Sequence, residues 1–453
     1  MLMPENDWVR LQSHGRSLHW DTIHAVEHAL SSLKREALSD SEIERFLEDA
    51  GEDLALEIER QRRAENRLTY DDLPRMAELI LANDKVASLY YNHFAAVIVD
   101  EYQDLTPQQL RLVNRIGLNR TTYAGDLAQG IYSFAGAKPA EVDAQIRAEC
   151  STVIEFAESH RSSPAVLEVV NSLAPLTHGL PLTCAEPASW PGGGLAGGVA
   201  SNDVYGEAKF TVDIARLVLE HVPGQRIGII ARTEGRRRFV DEAVEASGIT
   251  FHRWDDPLLD TDTARATKGV LSRLDGAAFN AAEDRLAFLR SLAELDTIQD
   301  PSTRESLSEA LGWCLDLLNE GRTPTEIRQR IRVGDEHTLL SVPGIHVLSG
   351  HVGKGQQFDW VLVVGAEEGC IPDFRDTSPA AVAEEARVLS VMVSRARHGV
   401  VISYAANVPA QSGRVWPKQP SRFWSSLSTV GLRVPDRIND WLDAADWPSI
   451  ASR

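Results

Sequence analysis

Phe94-Ala-Ala-Val-Ile-Val-Asp-Glu-Tyr-Gln-Asp104 runs six apolar residues into a pair of carboxylates. A short, unbroken apolar run of this kind reads as a strand buried on both faces, the habit of a parallel sheet. In open parallel sheets ligands gather at the C-terminal ends of the strands, and Asp100 and Glu101 stand at such an end. A carboxylate there can hold Mg2+ directly or through water, and its neighbour can orient or deprotonate an attacking water. An ordinary strand end looks the same, so the run alone leaves both readings open.

Working outward, further short apolar runs fall at Ala96–Val99, Thr121–Ala124, Ile227–Ala231, Gly344–Leu348, Trp360–Val364 and Val400–Tyr404. Helical stretches separate them, which predicts parallel α/β layers. Upstream, Asp21 to Arg67 is charged and lacks a strand signal. Ile23, Val26, Ala29 and Leu30 repeat there at helical spacing, and Ile43, Phe46, Leu47, Leu54 and Leu56 continue the pattern. Ser163-Pro164 is a helix start, with serine as cap and proline at the first helical position. Pro191-Gly-Gly-Gly-Leu-Ala-Gly-Gly198 reads as a flexible connection or hairpin-like loop. From about Asp255 to Val333 the pattern is helical without a convincing strand, as in Glu283–Leu295 and Leu307–Leu318, and reads as an insertion within a second α/β unit.

The chain has 453 residues, 43% hydrophobic and 25% charged, enough for two to four globular domains. No apolar run reaches the roughly 18 residues a membrane span needs, and the N-terminus lacks a secretory pattern. Cys150, Cys184, Cys314 and Cys370 are scattered without metal spacing and read as reduced thiols of a cytoplasmic protein. A net charge of −20 argues against a generally polycationic nucleic-acid binder, but a locally positive channel suffices for phosphate contacts. Arg232 with Arg236-Arg-Arg238 is the densest basic cluster, either a solvated helix face or a phosphate contact.

Other motifs follow the opening stretch in order. Gly125-Asp-Leu-Ala-Gln-Gly-Ile-Tyr-Ser-Phe-Ala-Gly-Ala137 comes after a second short strand. Next come Ser159-His-Arg-Ser-Ser-Pro164, then Arg232-Thr233, and then Ser349-Gly-His-Val-Gly-Lys-Gly-Gln-Gln-Phe-Asp359 with Trp360-Val-Leu-Val-Val-Gly-Ala-Glu-Glu-Gly-Cys-Ile-Pro372. Glu384-Glu-Ala-Arg-Val-Leu-Ser-Val-Met-Val-Ser-Arg-Ala-Arg397 and Pro420-Ser-Arg-Phe423 close the series. Together they resemble the UvrD/Rep family of superfamily 1 DNA helicases over about Leu68 to Trp424. The resemblance implies RecA-like parallel sheets: an incomplete first RecA-like domain, and a second one with helical insertions. It divides the chain into a helical remnant of an accessory insertion (1–67), the C-terminal part of the first domain (68–155), the second domain in two segments (156–254 and 336–430) around a short helical insertion (255–335), and a C-terminal tail (431–453).

The resemblance also assigns roles. Asp100 coordinates Mg2+ and Glu101 is the catalytic base. Gln129 senses the γ-phosphate, Arg161 reaches it, and Arg395 is the arginine finger. His160 and Gln357 occupy the adenine- and ribose-contacting positions. Tyr132 and Phe134 stack on bases of single-stranded DNA, where each stacked base is worth roughly 1–3 kcal/mol. His351 and Lys354 donate to DNA phosphate or nucleotide. Some positions depart from the family pattern: Tyr102 replaces phenylalanine, Ala135 arginine, His160 tyrosine, Glu234 asparagine and Gln357 glutamate.

No G-x-x-x-x-G-K-[ST] occurs in the 453 residues, and Lys354-Gly355 does not fit that spacing. The resemblance therefore implies an ATP- and Mg2+-dependent 3′-to-5′ helicase or translocase acting on single-stranded DNA or a 3′-tailed duplex. In this split or truncated form, the P-loop comes from an N-terminal polypeptide. A non-hydrolysing DNA-binding or regulatory subunit is the alternative, and a gene remnant a third reading. The expected consequence of a missing central strand is unpaired strand edges in the first sheet.

Overall fold

The computed structural model describes residues 2–3, 20–254, 256, 258–298, 300–319, 321–333, 341–410 and 413–453. It divides into two compact units, Met1–Phe156 and Ala157–Arg453. The insertion limits drawn at Asp255 and at 335/336 lie outside the described residues. No helix among the described residues is long and apolar enough to cross a membrane.

The first unit opens with three helices, α1 (Trp20–Lys34), α2 (Asp40–Ala50) and α3 (Asp53–Ala64). Ser39 caps α2 reciprocally with Glu42, and Gly51 ends it in the left-handed conformation. Val26, Leu30, Ile43, Leu47, Ala55, Leu56 and Ile58 form the core of this layer. Charge is buried here as well. The Lys34 ammonium lies 3.1 Å from Glu59 and 3.3 Å from Asp72; Arg62 pairs with both carboxylates and Arg75 with Asp72.

Helices α4 (Asp72–Leu81) and α5 (Asp84–His93) then lead into β1 (Val97–Val99). After β1 come α6 (Pro107–Gly117), β2 (Thr121–Tyr123) and α7 (Pro139–Glu149). Thr106 and Gln109 cap α6 reciprocally around Pro107, and Gln108 bonds the Lys34 carbonyl and Glu78. Three of the four residues in Thr-Pro-Gln-Gln therefore have a helix-starting role and one a bracing role. β1 and β2 pair in parallel, and among the described residues their sheet has two strands.

The second unit is built on six parallel strands: β3 (Leu195–Ser201), β4 (Arg226–Ala231), β5 (Phe251–Arg253), β6 (Gly344–Ser349), β7 (Phe358–Val364) and β8 (Ala396–Ala405). Their spatial order is β3-β8-β7-β4-β6-β5. The central strands are almost wholly buried, as continuous Ile/Val/Leu runs require of a parallel sheet. Helices α8 (Pro164–Thr177), α9 (Val204–His221) and α10 (Glu234–Ser247) pack around it. This architecture is that of a RecA-like α/β domain.

Two sequence expectations are corrected here. Pro191–Gly198 is not simply a flexible loop, because Leu195–Ser201 is an edge strand paired with β8. Its glycines mark close packing rather than freedom: a Cβ on Gly197 would sit 2.6 Å from the Ile438 side chain. The insertion does carry strand. Leu258–Leu259 pairs with Arg332–Val333 and closes a helical subunit of α11 (Thr261–Arg273), α12 (Gly276–Ala281), α13 (Arg285–Leu292), α14 (Pro301–Asn319) and α15 (Pro324–Arg330).

After the insertion, α16 (Pro379–Ser394) precedes β8. The last segment, read as a tail, forms α17 (Pro435–Asp443) and α18 (Trp447–Ala451). Ile438, Leu442, Trp447 and Ile450 from these helices join the core under the sheet. Trp360 lies at the heart of this layer with His398, Trp441 and Trp447 around it, and its indole N–H donates to Gln225.

Candidate functional site

In the first unit, β1 and β2 end side by side, and their C-terminal ends carry the predicted chemistry. The Asp100 carboxylate accepts the Glu101 amide at 2.9 Å through one oxygen and is exposed. Glu101 has φ 54°, a left-handed backbone that a glutamate adopts only at a cost of order 1 kcal/mol. That turn swings its carboxylate out of line with the strand, where the Gln103 side-chain amide donates to it.

Gln103 is fully buried, and its carbonyl oxygen accepts the Asp126 N–H at 2.9 Å. Asp126 in turn accepts from the Ala128 N–H and from the Gln129 side chain, each at 2.9 Å. One hydrogen-bonded chain thus runs Glu101–Gln103–Asp126–Gln129 and ties the two strand ends together. Gly125 makes it possible, since a Cβ there would fall 2.3 Å from the Gln103 oxygen.

Gln103 and Asp126 were not singled out from the sequence. The signal was available: both lie inside quoted motifs, Gln103 two residues after Glu101 and Asp126 three before Gln129. Tyr102 packs with Leu110, Val142 and Ile146, and its hydroxyl donates to Asp143 at 2.7 Å. Burial and that carboxylate hold the phenol well above its ordinary range. The departure from phenylalanine is therefore compensated within the unit.

Tyr132 is half-buried and Phe134 is 70% exposed, their rings edge to face with centroids 5.7 Å apart. Burial, then Asp104 and Glu101, raise the Tyr132 phenol above its ordinary value. No group of three or more His, Cys, Asp and Glu able to hold a metal occurs among the described residues.

In the second unit the structure brings Arg161, Gln357 and Arg395 to adjoining segments. The Ser162 hydroxyl donates to the Ala396 carbonyl at 2.7 Å, and the Ser163 N–H donates to the Arg397 carbonyl at 2.8 Å. The segment carrying His160 and Arg161, both exposed, is stitched in this way to the start of β8, next to Arg395. Arg395 is buried at the end of α16, donating to the Val391 carbonyl at 3.0 Å and the Gln356 carbonyl at 3.5 Å. Its own carbonyl accepts the Phe358 N–H, so Gln357 lies beside it. Arg226, over the Phe358 ring, fixes the Gln357 carbonyl at 2.7 Å.

His351 and Lys354 lie on the loop that leaves the C-terminal end of β6 and returns to the start of β7. His351 is 3.4 Å from Arg232, which is itself held by a bidentate pair with Glu385. His351 and Lys354 thus share one loop with Gln357, the residue assigned to ribose.

Neither reading of the basic cluster survives. Arg236 is buried between Glu207 and Glu367, Arg237 is fully buried against Asp241, and Arg238 donates to the Pro409 carbonyl. These cations neutralise internal carboxylates, and Arg236 and Arg237 are therefore unavailable to an external phosphate. Spacing along a helix does not show whether opposite charges await it in the fold.

Comparison with known proteins identifies the family. The UvrD/REP helicase N-terminal domain matches residues 8–147 and the UvrD-like helicase C-terminal domain matches residues 279–407, together more than half of the chain. The chain belongs to the UvrD-type family of superfamily 1 helicases. It is similar to the ATP-dependent DNA helicase UvrD2 of Mycobacterium tuberculosis, with 28% identity over 399 residues, covering 80% of this chain and 54% of that protein. UvrD1 of the same organism is 24% identical over 570 residues, covering 98% and 72%. The chain spans about half the length of the UvrD2 relatives it matches. Among solved structures, the C-terminal domain of a possible DNA helicase from a Lactobacillus covers 61% of this chain and 98% of its own, with 13% identity and a TM-score of 0.29. That score leaves the fold to be judged from the sheet itself.

Proposed function

We propose that this chain carries the hydrolysis-completing and DNA-handling part of an ATP-dependent 3′-to-5′ DNA helicase or translocase. Its track is single-stranded DNA or a 3′-tailed duplex, and its P-loop comes from another polypeptide segment. The observation that carries this reading is the chain Glu101–Gln103–Asp126–Gln129. A general base needs an oriented carboxylate, and a phosphate sensor needs a link from its own position to that base. Here one buried glutamine supplies both. Asp100 is the residue that would hold Mg2+, which when bound neutralises charge on the transferred phosphoryl group.

In this reading Arg161 and Arg395 are phosphate-contacting cations of the second unit, with Gln357 and His160 at the nucleoside-contacting positions. Tyr132 and Phe134 offer ring faces to bases, with His351 and Lys354 as phosphate donors. ATP and Mg2+ are thus the implied cofactors. Cytoplasmic location accords with the scattered, unpaired thiols.

A second reading, a non-hydrolysing DNA-binding or regulatory subunit, draws on one observation: the Arg395 guanidinium is buried and donates to main-chain carbonyls. The two readings part in one assay. DNA-stimulated ATP hydrolysis is measured for the 453-residue chain alone and with a P-loop segment of the family. The chain alone is expected to be silent, and the pair active. Arg395→Ala is then expected to remove about 10^3-fold or more of the turnover. Robust turnover by the chain alone, or turnover indifferent to Arg395, overturns the first reading. Tyr132-dependent DNA binding without turnover in any combination establishes the second.

A further inference from the structure

Ala135 is exposed and stands where the family pattern has arginine, on the turn that carries Tyr132 and Phe134. Three backbone hydrogen bonds close that turn. The Ala135 and Ala137 N–H groups donate to the Tyr132 carbonyl at 3.0 and 3.3 Å, and the Gly136 N–H donates to the Ser133 carbonyl at 2.8 Å. Gly136 has φ 91°, a left-handed backbone that suits glycine. A group resting on Gly136 is thereby held at a fixed place relative to the two rings.

That group is Arg35. A Cβ at Gly136 would fall 2.6 Å from the Arg35 guanidinium carbon, 2.9 Å from its Nε and 3.0 Å from one Nη, so the guanidinium lies across the bare glycine. Arg35 comes from a distant part of the chain, immediately after α1. Its main chain is fixed on both sides: its carbonyl accepts from the Arg111 guanidinium at 3.1 Å, and its N–H donates to the Ser31 carbonyl at 3.1 Å.

The charge of Arg35 is not used within the unit. Arg60, Arg62, Arg63, Arg75 and Arg111 each pair with a carboxylate. Among the described residues Arg35 makes no such pair, and its Nε is buried without a hydrogen-bond partner. Buried donors nearly always have acceptors, and guanidinium groups are the side chains best shaped for phosphate. The chain also carries a net charge of −20, while every nucleotide stacked on Tyr132 and Phe134 brings a phosphate with it. A cation beside the ring pair offsets that repulsion.

We propose that Arg35 supplies, from another element, the cation that the motif lacks at position 135, and holds a backbone phosphate of the single-stranded DNA stacked on Tyr132 and Phe134. The inference rests on the DNA track proposed above and adds to it a residue that lies outside every motif of the series.

The test uses the full 453-residue chain and a fluorescent oligothymidylate of about 16 nucleotides, with affinity read by anisotropy between about 50 and 200 mM salt. Arg35→Gln should weaken binding roughly threefold to tenfold and reduce the slope of log affinity against log salt by about 0.7, the share of one phosphate on a single strand. Arg35→Lys should keep the slope. Ala135→Arg, placed in the Arg35→Gln background, should restore both affinity and slope, because it returns a cation to the same turn. A packing role alone would lower the melting midpoint of Arg35→Gln and leave the slope at the parent value, which overturns the proposal. Failure of Ala135→Arg to restore binding overturns it as well. Tyr132→Ala and Phe134→Ala read the DNA track separately, since they should weaken binding without altering the slope. If they weaken it and Arg35→Gln does not, only the role of Arg35 falls. If Arg35→Gln alone matters, its phosphate contact stands and the stacking track falls. A parent chain that binds no oligothymidylate overturns both.

Discussion

The two units bury charge in the same way but bury their sheets very differently. In the second, six parallel strands lie under helices on both sides, and the central Ile, Val and Leu side chains never meet water. In the first, two parallel strands carry the candidate catalytic residues, and the middle residue of β1 points at solvent. Both units nevertheless hold ionised side chains in their interior: Arg236 between Glu207 and Glu367 in one, Lys34 between Glu59 and Asp72 in the other. The contrast teaches that the second unit rests mainly on apolar layers. The first rests to a greater degree on polar ties among its helices, because its sheet does little of the work a parallel sheet usually does.

The largest effect should come from the second unit's buried charges. Arg236→Met leaves Glu367 buried without its cation, and breaking such a pair costs about 3–5 kcal/mol. Burial already holds the Glu367 carboxyl above its ordinary range, with Arg236 opposing it. A carboxyl raised in this way is most compatible with folding when protonated, so its contribution is lost as pH rises. The variant should therefore be hurt less near pH 4.5 than near pH 8, as measured by urea unfolding at both. An equal loss at both pH values would show that Glu367 finds another partner.

Acid should separate the units in sequence. Burial lowers the His398 imidazole from its ordinary value near 6.5 to about 4. A histidine depressed in this way stabilises the fold above 6.5 and loses that contribution as pH falls from 6.5 toward 4, a loss of about 3 kcal/mol for the second unit. For Asp72, burial alone would raise the carboxyl, but Lys34 and then Arg62 outweigh it and bring it to about 2. A carboxyl lowered in this way stabilises the fold above its ordinary value near 3.9 and loses the contribution as pH falls toward 2. The loss is about 2 kcal/mol, confined to the first unit. Tryptophan fluorescence, weighted to the cluster around Trp360, should report its transition at higher pH than amide exchange at Leu30 and Ile43. His398→Phe should move only the first of these. A single coincident transition would break the comparison.

Much of this was legible in the sequence, for identifiable reasons. The strands that carry unbroken apolar runs lie where those runs placed them, within a few residues. The place of Asp100 and Glu101 at the C-terminal end of β1 was readable because the apolar run stops there. Leu195–Ser201 was not, since Gly197 and Gly198 look like loop chemistry until the packing of α17 is known. Arg236 misled because its carboxylate partners, Glu207 and Glu367, are far away in the chain. Gln103 escaped notice because a fully buried glutamine bridging two strand ends has no periodic signature.

The smallest effect probes the polar ties of the first unit most directly. Tyr102→Phe restores the residue usual in the family and removes one hydroxyl hydrogen bond, that to Asp143. Asp143 keeps Arg147, whose guanidinium lies 2.9 Å away, so no carboxylate is stranded. The cost should then be that of one hydrogen bond, about 1 kcal/mol, and not that of an uncompensated charge. Combining it with Asp143→Ala should give a coupling energy of similar size, since each variant removes the same contact. Unfolding of the first unit followed by amide exchange at Leu110 and Ile146 measures both. The Glu101–Gln103–Asp126 chain makes no use of the Tyr102 hydroxyl and is expected to survive. A loss above about 3 kcal/mol would mean that the thin sheet depends on this hydroxyl for its cohesion, and would carry the contrast between the units further than their exposed surfaces do.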